Sequence, residues 1–281
     1  MIPNIEKKGK PPVEEEQLDL LALFFTLVKV LFIGGALQVV EQLVRVIEPV
    51  REGWEFHLTT IRNEHAYYCC IAQLMHFHSL PLPFHLKPIY VAGDSHSLAP
   101  SWHTVKFRGE ERLLVPKLVT GLKIWHLREE SVFFPKRNFW NVIDTIPPYS
   151  DVILLFGEID CREGLVSSLH KCRYDSLEEA VEFLVQLYCP IVRELIEKRK
   201  LNIIMHPIVP VLDPTRPFVK ALNQQMKKTF SKWKEVLWMD FFEDLLLPGD
   251  PTAFDKERYD LDGTHLSPKY LSLVERELNK K

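Results

Sequence analysis

Length, composition and charge set the first limits on this chain. It has 281 residues, 46% of them hydrophobic and 26% charged, which allows one large domain, or one domain with a helical extension, around a core of ordinary size. The formal net charge of -3 gives no overall attraction to nucleic acid, so no nucleic-acid partner is predicted. The five cysteines lack framework spacing, which argues against a disulfide scaffold and favours a reducing, cytoplasmic setting.

The N-terminal part has the pattern of a helical region. Residues 1–15 are charged and contain prolines, which predicts a disordered lead-in. Residues 16–80 then read as helices, the first with apolar positions at steps of three and four: Leu18, Leu21, Phe25, Val28 and Phe32. A Gly34-Gly35 pair separates it from a second helix that Pro49 is expected to end, and a third and a fourth helix are predicted over residues 54–75. The outline loosely resembles tetratricopeptide units, which favours a region that binds a protein partner.

Residues 18–40 are about long enough to span a bilayer, since a span takes ~20 apolar residues. The stretch contains Asp19 and Lys29, and each charge would cost roughly 2.5–3.5 kcal/mol near the centre of a membrane helix. We therefore expect a buried helical hairpin and no membrane span.

From residue 88 onward, short apolar runs alternate with amphipathic helices. The sequences PIYVAG, DVILLFG, NIIMHPIVPV and EVLWMD read as buried strands, and residues 176–200 and 216–233 read as helices. This alternation predicts an α/β domain over residues 88–281, with a mostly parallel sheet covered on both faces. In such sheets ligands bind beyond the carboxyl ends of the strands.

Two polar motifs lie where such a site is expected. Ser95 follows the first strand in VAGDSHS, a position suited to an exposed nucleophile. Asp262 and His265 lie three residues apart in DLDGTHLSPKY, so one loop could supply a base and the acid that orients it. Each motif is also ordinary turn or cap composition when taken alone.

Together these blocks resemble the SGNH/GDSL hydrolase family, with GDSHS, a later glycine, a glycine-led third block and a terminal DGTH in family order over residues 89–279. The resemblance implies a three-layer α/β/α, flavodoxin-like domain. It also implies Ser95 as nucleophile, with Asp262 and His265 as its triad partners. Gly121 matches the glycine that supplies a backbone oxyanion donor, and Gly109 is the alternative.

The third block departs from the family pattern. Where the family has an Asn side chain as an oxyanion donor, this chain has Ile159 within Gly157-Glu158-Ile159-Asp160. Losing such a donor can cost ~100- to 1000-fold in kcat. Arg162 is the candidate replacement, and an ion pair with a neighbouring carboxylate is the alternative for it. Asp160 is expected to brace the loop.

Asp94, His96 and His206 complete the set of candidate pocket residues. The function that the resemblance implies is hydrolysis of O-acyl or O-acetyl esters of a small molecule or glycan, with no metal and no cofactor. The alternative, motivated by Ile159 and the helical region, is a non-catalytic scaffold or binding module of the same fold.

Overall fold

The computed structural model describes residues 14–171 and 173–280, save for the side chain of His170. Most of the predicted disordered lead-in therefore lies outside the described residues. The chain divides into two compact units, residues 1–82 and 83–281. Within the described part of the chain, no helix has the length and apolar character needed to cross a membrane.

The first unit consists of three helices: α1 (Glu15–Ile33), α2 (Leu37–Arg51) and α3 (Arg62–Leu74). The buried positions of α1 are Phe25, Val28 and Phe32, which belong to the predicted apolar stripe. Phe25 stacks on Tyr68 of α3 with ring centroids 4.7 Å apart. Two expectations were wrong: α2 continues two residues past Pro49, and residues 54–75 hold one α-helix flanked by single 3₁₀ turns.

The second unit is built on a six-stranded sheet. Its strands are β1 (Pro88–Gly93), β2 (Thr104–Phe107), β3 (Glu110–Leu118), β4 (Asp151–Leu155), β5 (Asn202–Met205) and β6 (Val236–Trp238). Their order across the sheet is β2-β3-β1-β4-β5-β6. β2 runs antiparallel to β3, and all other neighbours pair in parallel. The predicted α/β class with a mostly parallel sheet is therefore confirmed.

Helices cover both faces of this sheet. They are α4 (Phe134–Ile143), α5 (Val166–His170), α6 (Leu177–Glu197), α7 (Arg216–Phe230), α8 (Lys256–Tyr259) and α9 (Leu271–Leu278), and a separate hairpin joins β7 (Leu246–Leu247) to β8 (Asp250–Phe254). Val152 and Leu154 of β4 share a core with residues of α6 and α7, whereas Ile153 and Leu155 share the opposite core with residues of α9. Because the strand is buried on both sides, its sequence is continuously apolar.

The sheet reverses its order at β1, which has β3 on one side and β4 on the other. Such a switch point leaves a crevice at the carboxyl ends of the two strands. Gly93 closes β1 there because the backbone of β4 comes very near: a Cβ on residue 93 would lie 1.9 Å from the Leu155 carbonyl oxygen. The glycine therefore lets Ser95 follow at the rim of the crevice.

Two strand predictions need correction. The hairpin of β2 and β3 was not predicted, and its two-residue turn consists of Arg108 and Gly109, both with positive φ. β5 ends at Met205, although the apolar run continues to Val211, because Pro207 and Pro210 lack the N–H that a central strand needs.

Candidate active site

Ser95 stands on a short turn that its neighbours hold in place. Asp94 accepts a hydrogen bond from the backbone N–H of His96 (3.0 Å), and Ser97 Oγ donates to the Asp94 carbonyl oxygen (2.7 Å). Of residues 91–100, Ser95 alone is not buried. The hydroxyl is therefore presented by a rigid backbone at the end of β1, as the sequence predicted for a nucleophile.

The loop between α8 and α9 brings His265 to this serine. Ser95 Oγ lies 2.9 Å from His265 Nε2, and His265 Nδ1 lies 2.8 Å from Asp262 Oδ2. With Nδ1 donating to the carboxylate, Nε2 is the ring nitrogen that can accept the serine proton. The three residues thus form a continuous relay across 170 positions of sequence.

Asp262 also shapes the loop that carries His265. Its Oδ1 accepts the backbone N–H groups of Thr264 (3.0 Å) and His265 (2.8 Å). Burial acts to raise the pKa of Asp262, but the hydrogen bond and charge of His265 outweigh burial and lower the pKa to about 2. Asp262 is therefore an anion at neutral pH and suited to stabilise an imidazolium.

Gly121 lies just beyond β3, next in the sheet to β1, at the same edge as Ser95. Residues 119–122 form a turn fixed by the N–H of Val119, which donates to the Gly93 carbonyl oxygen (2.7 Å). Among the described residues, none accepts a hydrogen bond from the N–H of Ser95 or of Gly121. Two uncommitted donors at this edge are what an oxyanion site requires. Gly109, the alternative, lies in the hairpin turn at the opposite edge.

A second polar cluster adjoins the relay. The ring centroid of His96 lies 4.9 Å from that of His265, and His96 Nε2 lies 3.6 Å from Glu158 Oε2. Arg162 contacts the other oxygen of Glu158, with Nε at 3.4 Å. Burial acts to raise the pKa of Glu158, but the imidazole of His96 and then the guanidinium of Arg162 lower it. Arg162 therefore forms the ion pair that was one of its two predicted roles.

Ile159 and Asp160 follow Glu158 at the start of a helical segment that contains a π-helical turn, Asp160–Leu165. Asp160 accepts the N–H groups of Ile124 (2.7 Å) and Trp125 (3.0 Å). It thus braces the segment that follows Gly121. Burial raises the pKa of Asp160 to about 7, although both hydrogen bonds oppose the shift.

Two other predicted residues lie buried beside the cluster. Burial raises the pKa of Asp94, and its Oδ2 has no hydrogen-bond partner among the described residues. His206 donates from Nδ1 to the Pro207 carbonyl oxygen (2.6 Å), and its ring packs edge-on against Phe241. Burial lowers the pKa of His206 to about 3, so its imidazole is neutral.

Glu158 is the one residue of this region that the sequence did not nominate for the site. It is 2% exposed, and neither carboxylate oxygen has a hydrogen-bond partner among the described residues. Buried carboxylates are rare without a charged partner, so we interpret His96 and Arg162 as the groups that stabilise Glu158 in this position. The signal available in the sequence was its position directly after Gly157, at the end of a buried strand.

Comparison with known proteins assigns this chain to no family. No family model matches the chain, and no curated protein matches it. One solved structure, described as "The structure of a putative platelet activating factor from Streptococcus pneumonia", is 17% identical with a TM-score of 0.43, covering 75% of this chain and 91% of that one. We draw no argument from a likeness at this level.

Proposed function

We propose that this chain is a serine hydrolase of the SGNH/GDSL type that cleaves O-acyl esters. The observation that carries the proposal is the relay from Ser95 Oγ to His265 Nε2 (2.9 Å) and from His265 Nδ1 to Asp262 (2.8 Å). Geometry of this kind identifies a triad independently of sequence position.

In the proposed mechanism Ser95 Oγ attacks the ester carbonyl carbon while His265 Nε2 takes the hydroxyl proton. The imidazolium then gives that proton to the leaving alcohol, and the acyl group remains on Ser95. A water molecule, deprotonated by His265, then attacks the acyl carbon; the bond to Ser95 Oγ breaks, the imidazolium returns its proton to Oγ, and the acid is released. Asp262, ionised because its pKa is about 2, stabilises the imidazolium in both steps.

The strand order supports the finer fold assignment. Without the antiparallel edge strand β2, the sheet order is β3-β1-β4-β5-β6, which corresponds to the flavodoxin-like order 2-1-3-4-5. The two covered faces fit a three-layer α/β/α domain. The nucleophile follows the first strand of this arrangement, beside the switch point.

The oxyanion would be held by the backbone N–H groups of Ser95 and Gly121. Ile159 supplies no third donor, so we expect slower turnover than a site with a complete set would give. Arg162 is the proposed substitute for that donor. Glu158 contacts Nε of its guanidinium, and the Arg162 side chain is 42% exposed. The variant Arg162→Ala tests this: a fall of about 100-fold in kcat with unchanged KM supports a donor role.

The substrate class is proposed from the resemblance alone: an O-acetyl or other O-acyl ester on a small molecule or glycan.

We also propose a protein partner for the helical unit, and the exposed side of α1 supports it. There Leu20, Leu23, Leu27 and Val30 are exposed at helical spacing. A non-catalytic binding module is the competing proposal, motivated by Ile159.

A fluorophosphonate probe and p-nitrophenyl acetate separate the two proposals. The hydrolase proposal predicts that the native chain is labelled and hydrolyses the acetate, and that Ser95→Ala abolishes both. Ser272→Ala, which removes an exposed hydroxyl of α9, is the control and should retain labelling. Equal labelling of the native chain and Ser95→Ala would contradict a Ser95 nucleophile.

A further inference from the structure

A second cavity lies within the second unit, between the helical segment of residues 160–171 and the start of α6. Its volume is about 180 Å³, room for several water molecules. The apolar part of its lining comes from Leu165, Ala180 and Leu184, and its aromatic part from Trp125 and Tyr174. Both aromatic rings pack against Phe183, at 5.9 and 5.7 Å between centroids, which fixes this wall.

The cations that line this cavity are not paired with its carboxylates. Its two acidic residues are already engaged: Asp160 accepts two backbone N–H groups, and Glu163 pairs with Lys123 (2.6 Å). Its two cations, Lys171 and Arg173, have no ion-pair partner among the described residues. Counting Lys123, three cations stand against two carboxylates, so the cavity has one net positive charge and two cations that have no carboxylate partner in the described part of the chain.

Hydroxyl groups lie beside those cations. Ser167 and Ser168 line the cavity, and no described residue accepts or donates a hydrogen bond at either hydroxyl. The backbone holds the pairs together, since the N–H of Lys171 donates to the Ser167 carbonyl oxygen (3.2 Å) and that of Arg173 to the Ser168 carbonyl oxygen (3.0 Å). Two cations and two hydroxyls thus converge on one small volume.

The larger groove nearby provides a contrast. Its lining includes Arg128 and Arg199, but Arg128 pairs with Glu130 and Arg199 pairs with Asp144. The remaining cation of that groove, Lys136, donates to two backbone carbonyl oxygens. Within the described residues, the two cations of the cavity beside α6 have neither kind of partner.

The cavity is also distinct from the relay. None of Ser95, Asp262 and His265 is among the residues that line it. Glu158 and Arg162, which contact each other and adjoin the relay through His96, lie outside this set. A ligand in the cavity would therefore not occupy the place of the ester.

We infer that this cavity is a binding site for a compact anion, a phosphate or carboxylate group that carries a few carbon atoms. The ammonium and guanidinium groups supply charge-assisted hydrogen bonds, and the two hydroxyls complete the polar contacts. The apolar floor and the aromatic wall suit a short carbon chain, and the volume excludes a large ligand. The inference does not depend on chemistry at Ser95.

Calorimetric titration of the full chain with glycerol 3-phosphate, glycerate and glycerol tests the inference. We expect at least one anion to bind and glycerol not to bind. The variant Lys171→Gln/Arg173→Gln should weaken anion binding at least tenfold, because it removes both charge-assisted contacts. Ser167→Ala/Ser168→Ala should weaken it by a smaller factor.

The matched control is Lys232→Gln/Lys234→Gln, which removes two exposed lysines after α7 and should leave the affinity unchanged. Ser95→Ala should also bind as the native chain does, so a failure of the hydrolase proposal would be recognised separately. Binding of neither anion, or equal loss in the cavity and control variants, would overturn the inference. Unchanged melting temperatures without ligand would show that each variant remains folded.

Discussion

Asp262→Asn tests the relay with the least change of shape. Oδ1 of the new amide can still accept the N–H groups of Thr264 and His265, so the loop should keep its conformation. The second position, however, can present an amide N–H to His265 Nδ1 and favour the wrong tautomer, with Nε2 protonated and unable to accept the serine proton. The corresponding change in a known serine protease triad lowers kcat by about 10⁴-fold, and we expect a loss of that order here.

The pKa of Asp262 gives a second, independent readout. Because folding lowers this pKa from 3.8 to about 2, the ionised group contributes about 2 kcal/mol to stability, present above pH 4 and lost as the pH falls through 2. Asp262→Asn should lower the free energy of unfolding at pH 7 by that order.

Asp260→Asn is the matched control, since Asp260 lies in the same loop and its carboxylate accepts, from the described residues, only the N–H of Gly263. The assay is p-nitrophenyl acetate hydrolysis at pH 7, with urea unfolding of each variant alongside. The control should keep kcat/KM within a few-fold of the native value. If Asp262→Asn also stays within tenfold, the reasoning about the relay is refuted.

Three further substitutions test the stability of the buried site and its missing oxyanion donor. Glu158→Gln should lower the free energy of unfolding in urea by only about 1 kcal/mol, because its ion-pair partner Arg162 is 42% exposed. Because the pKa of Glu158 is lowered in the folded protein, this contribution should be present at neutral pH and be lost as the pH falls through that lowered pKa. Gly93→Ala should cost about 3 kcal/mol or more, because its Cβ would meet the Leu155 carbonyl, whereas Gly109→Ala, in open space, should cost about 1 kcal/mol; equal losses in denaturant would contradict this. Ile159→Asn should raise kcat for p-nitrophenyl acetate by about tenfold or more if it restores an oxyanion donor, and an unchanged kcat would argue against a vacant donor position.

The local sequence pattern was sufficient to predict those strands and helices whose surroundings stay the same along their length. The runs at β1 and β4 are continuously apolar because both faces of those strands are buried, so they were visible in the sequence. The long amphipathic helices α6 and α7 were visible for the same kind of reason, since one face of each packs on the sheet. The Asp262–His265 pair could be predicted because one short loop holds both residues.

Long-range pairing was not visible in the same way. β3 carries Pro116 and a charged beginning, which conceal a strand whose residues 113–118 pair with the whole length of β1. Glu158 gains its role only from the contact with His96, which lies 62 positions earlier and on another strand's loop. Arg162 was open between two roles because the sequence does not specify which neighbouring carboxylate lies within reach.

The most direct test of the central claim is to locate the residue that a fluorophosphonate modifies. The full chain would be treated with the probe at pH 7 and digested, and the adduct would be assigned by mass spectrometry. A relay with Ser95 Oγ 2.9 Å from His265 Nε2 predicts one adduct, on Ser95, that disappears in His265→Ala. No adduct on Ser95 in folded native protein, or undiminished labelling of His265→Ala, would contradict it.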